Sequence, residues 1–95
     1  MTISLEIEQS AVFPVGELTR DTVMTLKKSQ YQSLLSSEMQ LDMTKTVKVD
    51  TAGLAWLFLV KEQAVKSGGK VTVINAPDDL HKLAKLSGVA AMLDE

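Results

Sequence analysis

The 95-residue chain contains no cysteine. Disulfides, thiolate nucleophiles and cysteine metal sites are therefore excluded, and a reducing, cytoplasmic setting is compatible with the composition. It lacks a basic excess as well: 10 lysines and arginines stand against 12 acids, giving a formal charge of -2. Nucleic-acid binding would leave an electrostatic footprint that this balance does not contain. Nor is there a long hydrophobic run. The longest, residues 54–60, falls far short of the ~20 residues that cross a bilayer, so no direct membrane insertion is expected. The opening MTISLEIEQS has no basic segment ahead of an apolar one and does not read as a secretory signal.

Catalytic signatures are equally scarce. The one histidine, His81, lies in DDLHKLAKL, the flank of a polar-apolar helix, and reads as a solvated surface residue. No histidine–acid cluster has metal-ligand spacing. Gly68-Gly69 follows a helical pattern rather than a strand, which makes it a turn and not a phosphate cradle. The five methionines are scattered and suit core gaps better than a cofactor box. Neither an enzyme nor a cofactor nor a metal is expected.

What is present is patterning. Apolar residues make up 45% and charged residues 23%, as in globular domains, and the length suits one domain over 1–95. Residues 2–8 alternate, with Ile3, Leu5 and Ile7 on one side, predicting a half-buried strand. Residues 11–16 predict its hairpin partner. Pro14, which has no N–H, must there face away from a partner or sit at a bulge. LTRDTVMTLKKSQYQSLLSS predicts a helix capped by Thr19, with Val23, Leu26, Gln30 and Leu34 inward and Tyr31 and Leu35 beside them. MQLDMTKT alternates again and predicts strand three, with Met39, Leu41 and Met43 inward. A second helix spans about 51–67 and ends at Gly68-Gly69. KVTVIN is strand four, and a last helix opens near Pro77 with Leu80, Leu83 and Ala84 inward before Gly88 stops it.

The order is thus β-β-α-β-α-β-α, an α/β domain. Strand–helix–strand crossovers should run parallel. Strands three and four alternate rather than reading apolar throughout, so helices should cover mainly one face of a small mixed sheet, with the hairpin at an edge.

The stretch VKVDTAGLAWLFLV, residues 47–60, is unusual. Asp50 and Thr51 sit where an extended segment hands over to a helix, at the carboxyl end of a strand, where α/β sheets gather their sites. Both are preferred cap residues, and a cap can also be a contact. A phosphate on Thr51 would lie at a helix N-terminus, where the dipole favours negative charge. Gly53 in the first turn weakens the helix but permits close approach of another backbone. Leu54, Leu57, Phe58 and Val65 can form the inward stripe. Ala55, Trp56, Leu59 and Val60 then fall around the rest of the wheel, with polar residues beginning only at Lys61. Either Trp56 is exposed as an interface anchor or loops and the C-terminal tail cover it.

LDMTKTVKVDTAGLAWL resembles the signature of the STAS family, the domain shared by sulfate transporters and anti-sigma-factor antagonists. In that signature a strand ends in an acidic and polar run, and Asp-Ser/Thr-small-Gly-Leu opens a helix. VGELT at 15–19 is similar to the family's second strand and turn, and the element order matches over nearly the whole chain. The resemblance implies a protein-binding domain with Thr51 at its partner-facing helix start; together with the reading of the junction and of the apolar helix, this sets Asp50, Thr51, Ala52, Gly53, Leu54 and Trp56 as the expected partner-binding or regulatory surface. One branch, the antagonists, implies phosphorylation of Thr51 by an anti-sigma-factor kinase. Ala52, where that branch usually has a hydroxyl, and threonine as acceptor depart from its pattern. The other branch is the STAS subunits of phospholipid ABC transporters, which VDTAGLAWL, the Gly-Gly turn and LHKLAKL resemble more closely. It implies a cytoplasmic subunit at the inner membrane, bound to the transporter's ATPase in a complex that maintains outer-membrane lipid asymmetry.

Overall fold

Period-two alternation at the start of the chain builds the expected hairpin. The computed structural model describes residues 2–93. β1 (Ile3–Glu8) and β2 (Ala11–Leu18) pair antiparallel, with Leu5 opposite Pro14 and Ile7 opposite Val12. The helices and strands that follow are α1 (Arg20–Val23), β3 (Glu38–Asp42), β4 (Thr46–Val49), α2 (Thr51–Lys66), β5 (Lys70–Ile74), α3 (Asp78–Leu86) and α4 (Ala90–Leu93). The sheet runs β1-β2-β3-β5, with β4 also on β2, and every pairing except the hairpin is parallel. The hairpin lies at one edge, as predicted.

The sheet buries one face. Val12, Met39, Leu41 and Val71 point inward and are buried, whereas Glu6, Gln40 and Thr72, on the opposite parity, are exposed. On the open face Lys45 pairs with Glu6 at 2.6 Å and lies over the Phe13 ring. Leu57, Val60 and Ala64 of α2 and Leu80 and Ala84 of α3 join the inner strand residues in one core. Each leucine or valine among them contributes about 1.5–3 kcal/mol on full burial.

The predicted third strand is cut in two. β3 pairs with β2 through Ala11 and Val12, and β4 pairs with it from Gly16 onward. Pro14 lies between those two pairings. Gly16, two residues on, directs its N–H to the Lys45 carbonyl (3.1 Å). By the two-residue repeat, the donor that Pro14 lacks would face the same side. The neighbouring strand breaks at that gap. A turn at Met43–Lys45 is held by the Asp42 carboxylate, which accepts from the Thr44 N–H (2.9 Å) and Asn75 Nδ2 (3.1 Å). Thr46 then donates its hydroxyl to the Pro14 carbonyl (2.8 Å).

The long first helix predicted after Thr19 is not formed. Thr19 does cap α1, but α1 has only four residues, and two short 3-10 turns at Lys28–Gln30 and Gln32–Leu34 replace the remainder. Side-chain hydroxyls compete with the helical ladder here. Thr22 Oγ1 accepts from the Thr19 N–H (2.9 Å) and donates to the Glu17 carbonyl (2.7 Å), and Thr25 Oγ1 donates to the Thr22 carbonyl (2.6 Å). The inward residues are still chosen much as the spacing implied. Tyr31 and Leu35 are buried, Val23, Leu26 and Leu34 half-buried, but Gln30 is exposed.

Candidate functional site

Asp50 fastens two helix starts together. It is the N-cap of α2, and its Oδ1 accepts from the Gly53 N–H at 3.0 Å. Its Oδ2 accepts from the N–H of Arg20, the first residue of α1, at 2.9 Å. Its own N–H donates to the Leu18 carbonyl at 3.3 Å. Burial alone would raise the Asp50 pKa, but the amides of Arg20, Gly53 and Ala52 outweigh it and hold the carboxyl below its ordinary value. The stability this carboxylate adds is therefore complete above its unfolded-state pKa. It is lost as pH falls through the lowered, folded-state value. Asp50→Ala is expected to destabilise the fold by about 1 kcal/mol at neutral pH, as loss of a cap does. Denaturant titrations at pH 7 and pH 3 check this, since the gap between the two proteins must narrow at the lower pH.

Gly53 fits as the sequence implied. A Cβ there would stand 2.2 Å from the Leu18 carbonyl oxygen and 2.9 Å from Val49 Cγ1. The missing side chain lets α2 rest on the end of β2 while Asp50 reaches both amides. Gly53 and Leu54 are buried, and Ala52 is half-buried. These residues position the surface of the junction rather than supply it. Thr51, by contrast, is exposed at the first position of α2.

Trp56 is not exposed, and the expectation of an exposed indole is corrected here. It is 7% exposed and packs edge-to-face on Tyr31, with ring centroids 5.9 Å apart. The Tyr31 hydroxyl donates to Gln63 Oε1 at 2.8 Å, so the irregular segment after α1 clamps the middle of α2. Burial raises the Tyr31 pKa, partly opposed by that bond. The inward stripe of α2 is Gly53, Leu54, Trp56, Leu57, Val60 and Ala64. Val65, assigned inward from sequence, is 73% exposed, and Phe58 is half-buried.

The apolar surface foreseen on the first half of α2 is present without Trp56 and Val60, which are buried. Thr51, Ala55 and Leu59 recur every four residues, on one line of the helix, and all three are exposed, Leu59 by 47%. A groove runs along one side of this ridge, and another opens beside its Thr51 end. One, of about 350 Å3, is lined by Met24, Leu26, Tyr31, Ala55, Trp56 and Leu59 among others. The other, of about 330 Å3, lies toward α3, and Lys48, Thr51, Lys82 and Leu86 help to line it. Met24 is 78% and Leu86 86% exposed, so each groove has an uncovered apolar wall. Sequence periodicity within α2 found Leu59 and Ala55. Met24 and Leu86 belong to other elements and are brought alongside only by tertiary packing.

The arrangement is suited to recognition by shape and apolar contact. His81 is exposed on α3. Among the described residues no group of three or more His, Cys, Asp or Glu could hold a metal ion. Among the same residues no helix is long and apolar enough to cross a membrane.

Comparison with known proteins places this chain in a wider group. The family model described as "Mlab, STAS domain" matches residues 1–94. The "Intermembrane phospholipid transport system binding protein MlaB" of Escherichia coli (strain K12) is 32% identical over 76 residues, spanning 80% of this chain and 77% of that protein. The protein of the same name from Shigella flexneri matches to the same extent. Among solved structures, the anti-sigma factor antagonist SpoIIAA in its unphosphorylated form superposes with a TM-score of 0.64 over 88% of this chain and 82% of its own. At 16% identity it shares the fold.

Proposed function

We propose, from the premise that this chain belongs to the STAS domain family and resembles its MlaB members, that it is a non-catalytic accessory subunit of a phospholipid ABC transporter. In this reading it binds the transporter's cytoplasmic ATPase through the ridge Thr51–Ala55–Leu59 and the flanking grooves. It then resides in the cytoplasm, peripheral to the inner membrane through its complex, and serves a system that maintains outer-membrane lipid asymmetry. The observation that carries the reading is the uncovered apolar ridge at the start of α2, at the motif that the sequence shares with the STAS signature.

The chemistry supports a docking role. Thr51 adds a small polar group at the head of an apolar line, and Asp50 fixes the helix start so that this line is rigid before a partner arrives. Preorganisation of this kind reduces the ordering that association must impose. Thr51→Glu places a bulky acid on the ridge at a position the helix dipole favours, so the fold is retained while the surface changes. Recovery of the co-expressed ATPase subunit on tagged Thr51→Glu protein is expected to fall by about tenfold or more relative to wild type. Equal recovery counts against this surface.

A second reading has one observation in its favour: the exposed hydroxyl of Thr51 on a fold shared with an anti-sigma factor antagonist. In that case an anti-sigma-factor kinase phosphorylates Thr51. Intact mass after incubation with kinases of the source organism separates the two, because one stoichiometric phosphate on Thr51 selects the second reading.

A further inference from the structure

Among the described residues β5 is the last strand of the sheet, and no strand pairs with its outer side. Lys70 N–H donates to the Ser37 carbonyl, and the Ile74 carbonyl accepts from the Met43 N–H, both at 3.0 Å. Residues 70, 72 and 74 therefore turn their backbone groups toward β3, and Val71 and Val73 turn theirs away from it. Beside that edge α2 overhangs the sheet. Phe58, Lys61, Glu62 and Val65 of the helix, with Gly69, Lys70 and Val71, enclose a groove of about 570 Å3. A further strand laid there would extend the sheet and cover the half-buried Phe58 and the 73% exposed Val65. Such an edge is a template for pairing unless something blunts it.

The strand best matched to this edge is β5 of a second copy. Run antiparallel about a two-fold axis at Thr72, Val71 meets Val73 of the other copy and exchanges both backbone bonds with it. Thr72 then faces Thr72, and Lys70 faces Ile74, so no like charges stand opposite each other. Val71 and Val73 would continue the inner apolar layer. One group prevents this. Lys61 Nζ donates to the Val71 carbonyl at 3.2 Å, occupying an acceptor that the pairing requires.

We infer that Lys61 closes the free edge of β5 against strand pairing with a second copy of this chain. The side chain spans the groove along its aliphatic stem and sets its charge on the backbone of the edge strand. The role is separate from partner docking at the start of α2 and does not rest on it.

Sedimentation equilibrium of wild type, Lys61→Met and the double variant Lys61→Met/Val73→Pro tests the inference, with circular dichroism to monitor folding. Lys61→Met keeps the stem and removes the ammonium, and its self-association is expected to be at least about tenfold tighter than that of wild type. Val73→Pro removes an outward N–H and is expected to return the double variant to the wild-type level. Association of Lys61→Met no tighter than wild type overturns the inference, as does tighter association that survives Val73→Pro. A Lys61→Met chain that fails to fold overturns it too, because Lys61 would then support the fold itself rather than guard its rim.

Discussion

Replacing Gly53 by alanine is expected to lower the melting temperature by roughly 10 °C, which corresponds to about 2 kcal/mol in a domain of this size. Helix propensity alone gives the opposite sign, since alanine in place of glycine favours a helix by up to about 1 kcal/mol. The decision between the two lies in what the new methyl meets. Its nearest neighbour would be the Leu18 carbonyl oxygen at 2.2 Å, with the Leu18 carbonyl carbon at 3.1 Å and Val49 Cγ1 at 2.9 Å. Two of these three are backbone atoms of β2 and have no rotamer in which to retreat. Relief must come from α2 moving off the sheet, and that movement strains two further contacts. The Asp50 N–H is bonded to the same Leu18 carbonyl, and Asp50 Oδ1 is bonded to the Gly53 N–H. A thermal melt followed at 222 nm reads the outcome, and a melting temperature at or above wild type refutes the packing account. Gly68→Ala provides the comparison. There φ is +83° and nothing lies within 4 Å of the added methyl, so only the left-handed backbone is strained, at about 1 kcal/mol.

The same junction shows what could be read from sequence and what could not. The strands were legible because a sheet covered on one face imposes period two, and Ile3, Leu5, Met39, Leu41 and Val71 obey it. The cap at Asp50 and the reason for Gly53 were legible because both act within a few residues of themselves. The interruption of the third strand was not, since its cause, Pro14, lies in a different strand and acts through a missing donor. Trp56 stayed open between exposed and covered for a related reason. The polar residues late in α2 set the apparent outer face, but α2 is gripped on two sides, by the sheet and by the Tyr31 segment. That segment itself was mistaken for a helix, because its apolar spacing survives although Thr22 and Thr25 divert its hydrogen bonds. Correcting that one element shifts the surface off Trp56 and leaves it to Ala55 and Leu59, which the helical spacing had also set outward.

That shift decides which substitution tests the docking surface. Leu59→Asp is expected to weaken binding of the proposed ATPase partner by about a hundredfold, the effect of losing an interface anchor, while stability falls by only about 1 kcal/mol. Leu59 is 47% exposed and lies outside the buried stripe of α2, so its own fold loses little when it becomes polar. In a complex the same position forms the end of the ridge farthest from Thr51, where a carboxylate would be desolvated with no partner supplied. Trp56→Ala is the poorer test. It removes the ring that packs on Tyr31, and loss of a buried aromatic of this size costs about 3–5 kcal/mol. Any fall in binding would then report unfolding. Val65→Asp completes the comparison, because Val65 is more exposed than Leu59 yet lies beside β5, away from the ridge. Titration of the ATPase subunit by surface plasmon resonance should leave Val65→Asp at the wild-type affinity. Equal weakening by Leu59→Asp and Val65→Asp would place the interface elsewhere, and no weakening by Leu59→Asp would remove the ridge from it altogether.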